Sequence, residues 1–202
     1  MVTSKPHRRR FSSTRSYVPQ GKTFKTKTQT IKTRETREIR SISSISSPLA
    51  PVSHSKLRVI VIGGAEEVGR NMTLIEYGND IVAIDCGLQF PEEEHPGIDY
   101  IIPNISCLKG REKNFRGFVI THGHMDHIGG LPHLAPLLGN PPIYGTKLTL
   151  AIIAKRQEDF LDKGKLDLRE IRADDTRQLG SLRIEFFRVN HNIPDCIGFV
   201  IK

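Results

Sequence analysis

Four side chains able to ligate a metal fall within six residues, in the run His122-x-His124-x-Asp126-His127. In an extended segment His122 and His124 point to the same side, because side chains alternate with a period of two. Two imidazoles on one side can share one zinc at about 2.0–2.1 Å. If the chain turns after them, Asp126 and His127 are left for a second metal. Four of the eight histidines lie between positions 122 and 133, a concentration with no rationale in an ordinary exposed loop. Catalytic zinc typically takes three protein ligands and a water. His191, in Val189-Asn190-His191-Asn192-Ile193-Pro194-Asp195, is the candidate third ligand. Asp85 closes an apolar run and has two readings: a strand-end turn former, or a carboxylate that orients a ligating histidine from behind. His133 lies outside the ligand spacing and is expected on a helix surface, with His7, His54 and His95 in solvent.

These residues need elements to hold them. The β-branched run 57–62 reads as a buried strand ending at Gly63-Gly64. Strands at 72–77 and 81–84 flank the turn Gly78-Asn79-Asp80 and make a hairpin. Asp85-Cys86-Gly87 then opens a long loop. A strand at 115–120 runs straight into the histidine motif, and a short helix at 131–138 follows it. Beyond come a strand at 142–144, a helix at 147–161, and strands at 167–172, 176–179, 182–189 and 197–201, with Gly180-Ser181 as a hairpin turn. Strand pairs, then strand–helix alternation, then strands again describe an α/β fold with a mixed sheet or two sheets covered by helices. Gly63-Gly64-x-x-x-x-Gly69 lacks the spacing of a dinucleotide fingerprint, and no Lys-Ser/Thr follows Gly69 as a P-loop requires. It is expected to form a tight loop beside the metal residues.

Composition splits the 202-residue chain. The net charge of +8 divides into +11 over residues 1–56 and −3 over 57–202. The first segment holds 19 Ser or Thr and few apolar side chains, so it cannot bury enough surface to offset the entropy of ordering. It is expected to be a disordered basic tail, with a domain over 57–202. Three readings stand for it: a solvated tail, an electrostatic arm in which Arg8, Arg9 and Arg10 neutralise nucleic-acid phosphates, or an organelle transit peptide. No apolar run reaches the ~18 residues of a membrane span, and no secretory core follows Met1. Three widely spaced cysteines argue against a disulfide framework or a Cys-type zinc site.

The histidine run after an apolar strand resembles the metallo-β-lactamase superfamily. Three further stretches resemble the ribonuclease J family within it: residues 63–72, the loop Phe90-Pro91 with Pro96-Gly97-Ile98-Asp99-Tyr100-Ile101-Ile102-Pro103, and Asn190-His191-Asn192-Ile193-Pro194-Asp195, where Ser is usual in place of Asn192. The resemblance covers residues 57–202. It implies an αββα sandwich in which His122, His124 and His191 hold one Zn2+ while Asp126 and His127 hold the other. The implied activity is metal-dependent hydrolysis of RNA phosphodiesters in RNA processing and decay, as 5′-exonuclease or endonuclease, with Asp126 or a nearby carboxylate relaying a proton. The family also has a bridging Asp, a distal His and a β-CASP domain that grips RNA, none of which falls within these residues. The expectation is therefore an incomplete sandwich that binds one zinc better than two and shows little nuclease activity. The family pattern points to the bacterial cytoplasm, with a plastid or mitochondrion as the alternative if residues 1–56 are a transit peptide. Two other classes share parts of the sequence signal: a small-molecule hydrolase of thioesterase or lactonase type, and an inactive RNA-binding product driven by the tail.

Overall fold

The computed structural model describes residues 56–91 and 96–202. The Arg8-Arg9-Arg10 run, the tail itself, His7, His54 and His95 lie outside the described residues. Alternation of apolar side chains builds the first sheet. On β2 (Met72–Tyr77) Leu74 faces one way and Ile75 the other; on β3 (Asp80–Ile84) Ile81 and Ala83 oppose Val82. β1 (Leu57–Gly63) pairs antiparallel with β2, and β2 with β3 through a turn at Gly78-Asn79. β4 (Phe115–Val119), β5 (Ile143–Gly145) and β6 (Leu168–Glu170) then add in parallel, giving the order β1-β2-β3-β4-β5-β6. β3 and β4 are buried on both faces, which explains their nearly continuous apolar runs. A second, antiparallel sheet has the order β7-β8-β9, from Thr176–Leu179, Leu182–Arg188 and Ile197–Ile201.

Two apolar cores fix three layers. On one side of the first sheet, Leu74, Ile81, Phe118 and Ile143 meet Leu131 and Leu134 of α2 (Leu131–Leu134) and Leu150 and Ile153 of α3 (Lys147–Gln157). On the other side, Ile75, Val82 and Val119 meet Leu179, Leu182, Ile184, Phe186 and Ile197 of the second sheet. The order is thus helices, sheet, sheet. The outer face of the second sheet carries Arg183, Glu185 and Lys202, joined at 3.0 and 2.7 Å, and among the described residues no helix covers it. The sheets are also tied at a corner. Asp80 accepts a hydrogen bond from the Ser181 N–H at 2.6 Å and one from Arg116 Nε at 2.5 Å.

The expected helix at 131–138 is broken: α2 ends at Leu134, and a 3-10 turn takes over at Pro136–Leu138. Pro136 has no N–H for an α-helical bond. α3 gives way to a 3-10 segment, with Phe160 at φ −131° marking the kink. A buried charge cluster also shapes the fold. Glu76 of β2 is fully buried and pairs with Arg111 at 2.5 Å and Arg58 at 3.6 Å. No helix of the described residues is long and apolar enough to cross a membrane.

Candidate metal centre

The site forms where the parallel strands β3 and β4 end, the usual place for ligands on open α/β sheets. Because the two strands are neighbours in register, Asp85 after β3 lies beside Thr121 after β4. The Asp85 N–H donates to Val119 O at 3.0 Å. Asp85 then takes a left-handed backbone, φ 59°, a conformation Asp tolerates better than most residues. The buried carboxylate accepts the Thr121 N–H at 2.8 Å and the Thr121 hydroxyl at 2.9 Å, and faces His127 Nδ1 at 2.7 Å.

The motif runs extended up to His124 and then turns into a four-residue helix, α1 (Met125–Ile128). Sequence alternation did not reveal this helix, yet it is the turn that separates the two pairs of candidate ligands. His122 Nε2 lies 2.9 Å from His124 Nδ1. His191 arrives from the loop between β8 and β9. That loop is anchored where Ile197 N–H donates to Thr121 O at 3.0 Å and the Thr146 hydroxyl donates to Asp195 O at 2.9 Å. The His191 ring centroid sits 4.6 Å from that of His122 and 5.0 Å from that of His124. One nitrogen from each of the three lies within 4.8 Å of the others. Three converging imidazoles are a donor set suited to a zinc-type ion, so the trio is able to hold a metal.

Hydrogen bonding sets which nitrogens are free to ligate. Thr121 has a single hydroxyl proton, and the carboxylate of Asp85 can only accept, so the hydroxyl donates there. The same oxygen, 2.9 Å from His122 Nδ1, is then an acceptor, which places the proton of His122 on Nδ1 and leaves Nε2 bare toward His124. Asp85 imposes the same tautomer on His127: Nδ1–H toward the carboxylate, Nε2 bare. Asp85 does both things its two sequence readings describe: it turns the chain after β3 with a positive φ, and its carboxylate faces His127 Nδ1. Burial, reinforced by the surrounding imidazoles, pushes His122 down to about 4, so it is neutral at physiological pH. For His127 burial acts in the same downward direction, but the hydrogen bond and charge of Asp85 outweigh it and hold its pKa above the ordinary value.

Asp126 and His127 form a second pair, with His127 Nε2 3.3 Å from Asp126 Oδ2. His127 borders two clefts. One, of about 390 Å3, is lined by Thr121, His122, Asn190 and His191; the other, of about 300 Å3, by Gly63, Gly64, Asn71 and Asp85. The glycine-rich loop does lie beside the metal residues, as its sequence suggested. Gly87 explains one close approach: a Cβ there would sit 1.6 Å from Asp126 O. His133 departs from expectation. It is half-buried between Tyr100 and Phe160, at 4.6 and 4.7 Å, and burial lowers its pKa. Thr121 and Asn71 belong to the site but were not singled out from sequence. The hydroxyl next to His122 and the amide at the end of the glycine loop were the only signals available.

A beta-lactamase superfamily domain model matches residues 82–202. Ribonuclease J of Corynebacterium glutamicum is 40% identical over 146 residues, covering 72% of this chain and 20% of that protein. Ribonuclease J of Thermus thermophilus is 41% identical over 152 residues, covering 72% of this chain and 26% of that protein. The chain thus spans about a fifth to a quarter of the length of these curated relatives. Among solved structures, a protein of unknown function from Enterococcus faecalis V583 shares the fold with a TM-score of 0.56 at 19% identity, over 73% of this chain and 41% of that one. With that domain model matched over more than half of its residues, the chain belongs to the beta-lactamase superfamily.

Proposed function

We propose that the chain carries the metal-binding part of a ribonuclease J-type hydrolase that cleaves RNA phosphodiesters. The observation that carries this reading is the arrival of His191, from a separate sheet, on the pair His122 and His124. The likeness to curated proteins named Ribonuclease J or Ribonuclease J2, 36–41% identical over 72–75% of this chain, supports RNA as the substrate class. His122, His124 and His191 are the ligands of a first zinc, and Asp126 and His127 those of a second. Bound cations supply a water of lowered pKa and offset the charge developing on a phosphate.

The protein's own groups do the rest. Asp85, directly and through Thr121, keeps His127 and His122 in the tautomer with Nε2 bare. The depressed pKa of His122 keeps protons from competing for that nitrogen at neutral pH. Asp126, its side chain 39% exposed, is placed to pass a proton between the site and solvent. The three-histidine set offers more protein ligands than the Asp126–His127 pair, so the first zinc binds more tightly than the second. Residues 1–56, with Arg8, Arg9 and Arg10, add a sequence-independent attraction to RNA whose signature is steep salt dependence. The cytoplasm is the compartment this reading assigns. The test is cleavage of a 5′-phosphorylated single-stranded RNA, beside a thioester substrate, by a zinc-loaded form that also carries the family's bridging Asp, distal His and β-CASP domain. RNA cleavage that disappears in His124→Ala of that form, with little from residues 1–202 alone, is expected; thioester hydrolysis without RNA cleavage would overturn the reading.

A further inference from the structure

Asn71 follows the glycine loop at the start of β2, 55 residues away in sequence from the pair it meets. Its backbone N–H donates to Asp126 O at 3.1 Å, and its carbonyl accepts the Gly87 N–H at 3.0 Å. Those two bonds brace the loop and need no side chain. The side chain does something else. Asn71 Nδ2 lies 3.0 Å from Asp126 O, 3.0 Å from Asp126 Oδ2 and 3.3 Å from His127 Nε2. Three acceptors surround one NH2 group, so the amide orientation is fixed by chemistry: an oxygen in that place would face three lone-pair carriers. The amide oxygen turns the other way, toward Gly64, where an added Cβ would come within 2.3 Å.

Oδ2 of Asp126 and the bare Nε2 of His127 are the two atoms with which this pair would grip a cation. Asp85 orients His127 from behind, but nothing except Asn71 is hydrogen-bonded to Asp126 Oδ2 among the described residues. Residues that orient metal ligands from behind typically contribute about 10–100-fold to metal affinity. We propose that Asn71 is a positioning residue for a second cation: its two amide protons go to Asp126 O and Oδ2, both at 3.0 Å, and hold the Asp126 carboxylate beside the free Nε2 lone pair of His127, ready to take up a metal ion next to the three-histidine centre. This rests on the metal-centre reading above.

The test is a cobalt(II) titration of the chelator-stripped full chain, followed by visible d–d absorption, with thermal unfolding of each variant alongside. The wild type should bind in two steps with distinct spectra. Asn71→Ala should leave the first step within about twofold and weaken the second at least about tenfold. Asn71→Asp keeps the side-chain shape but removes the donors, so it should weaken the second step as Asn71→Ala does; a tightened second step would show a carboxylate acting as a ligand and would overturn the positioning role. A role limited to bracing the loop would move the unfolding midpoint or both steps together. Absence of a second step in the wild type, or a second step unmoved in both variants, overturns the inference. Absence of the first step would instead remove the three-histidine reading.

Discussion

Asp85→Asn separates orientation from mere packing, because the substitution keeps the shape and removes the charge. In the wild type one carboxylate accepts from the Thr121 N–H at 2.8 Å, from the Thr121 hydroxyl and from His127 Nδ1 at 2.7 Å. An amide offers only one acceptor oxygen. The Thr121 N–H is a main-chain donor at the end of a buried strand and claims that oxygen. The new NH2 group then faces His127 Nδ1, which must become an acceptor, so the ring proton moves to Nε2. Three consequences follow with magnitudes. Loss of one charge-assisted hydrogen bond lowers stability by about 1.5–3 kcal/mol. Burial, the largest influence on His127, then faces only the smaller opposing charge of Asp126, so its titration falls from above the ordinary histidine value to below it. A protonated Nε2 cannot ligate, so cation affinity at Asp126–His127 drops at least about tenfold. The assays are urea denaturation, an NMR pH titration of the metal-free full chain, and metal titration. A variant in which His127 still titrates above the ordinary value, with unchanged stability, would refute the orienting role of Asp85.

Other consequences follow from single contacts. Folding holds His122 near 4 against an unfolded value of about 6.5. The unfolded chain therefore takes up a proton first on acidification, and metal-free stability should fall by about 3 kcal/mol between pH 6.5 and 4; a flat denaturation midpoint across that window would contradict it. Glu76→Ala strips the partner from Arg111, whose side chain is only 14% exposed, and should destabilise by about 3 kcal/mol in urea denaturation. Gly87→Ala forces a Cβ onto the Asp126 carbonyl, so it should abolish cation binding by Asp126 and His127, read by equilibrium dialysis.

Much of this architecture is written as periodicity. β2, β7 and β9 fall where alternation and turn residues place them, and the Gly78-Asn79 turn closes its hairpin. Element ends were less legible. β6 is three residues long, not six, because only Leu168–Glu170 pairs with β5. α1 is too short to show a helical period at all. At the candidate site, the clustering of His122, His124, Asp126 and His127 is legible because they are local in sequence, and the approach of His191 because a three-ligand site is incomplete without it. The contributions of Thr121 and Asn71 were not readable, since each depends on partners 36 and 55 residues away. His133 stands on a helix outside the histidine trio, as its spacing implies, but its half-burial is not legible because sequence gives no view of the Tyr100 and Phe160 rings beside it.

The central claim is that His122, His124 and His191 hold one metal together. Zinc binding by the full chain, in competition with a chromophoric chelator, tests it most directly. One tight zinc per chain is predicted for the wild type, weakened at least about tenfold by His191→Ala because two imidazoles replace three. Equal zinc affinity with and without His191 would contradict the account.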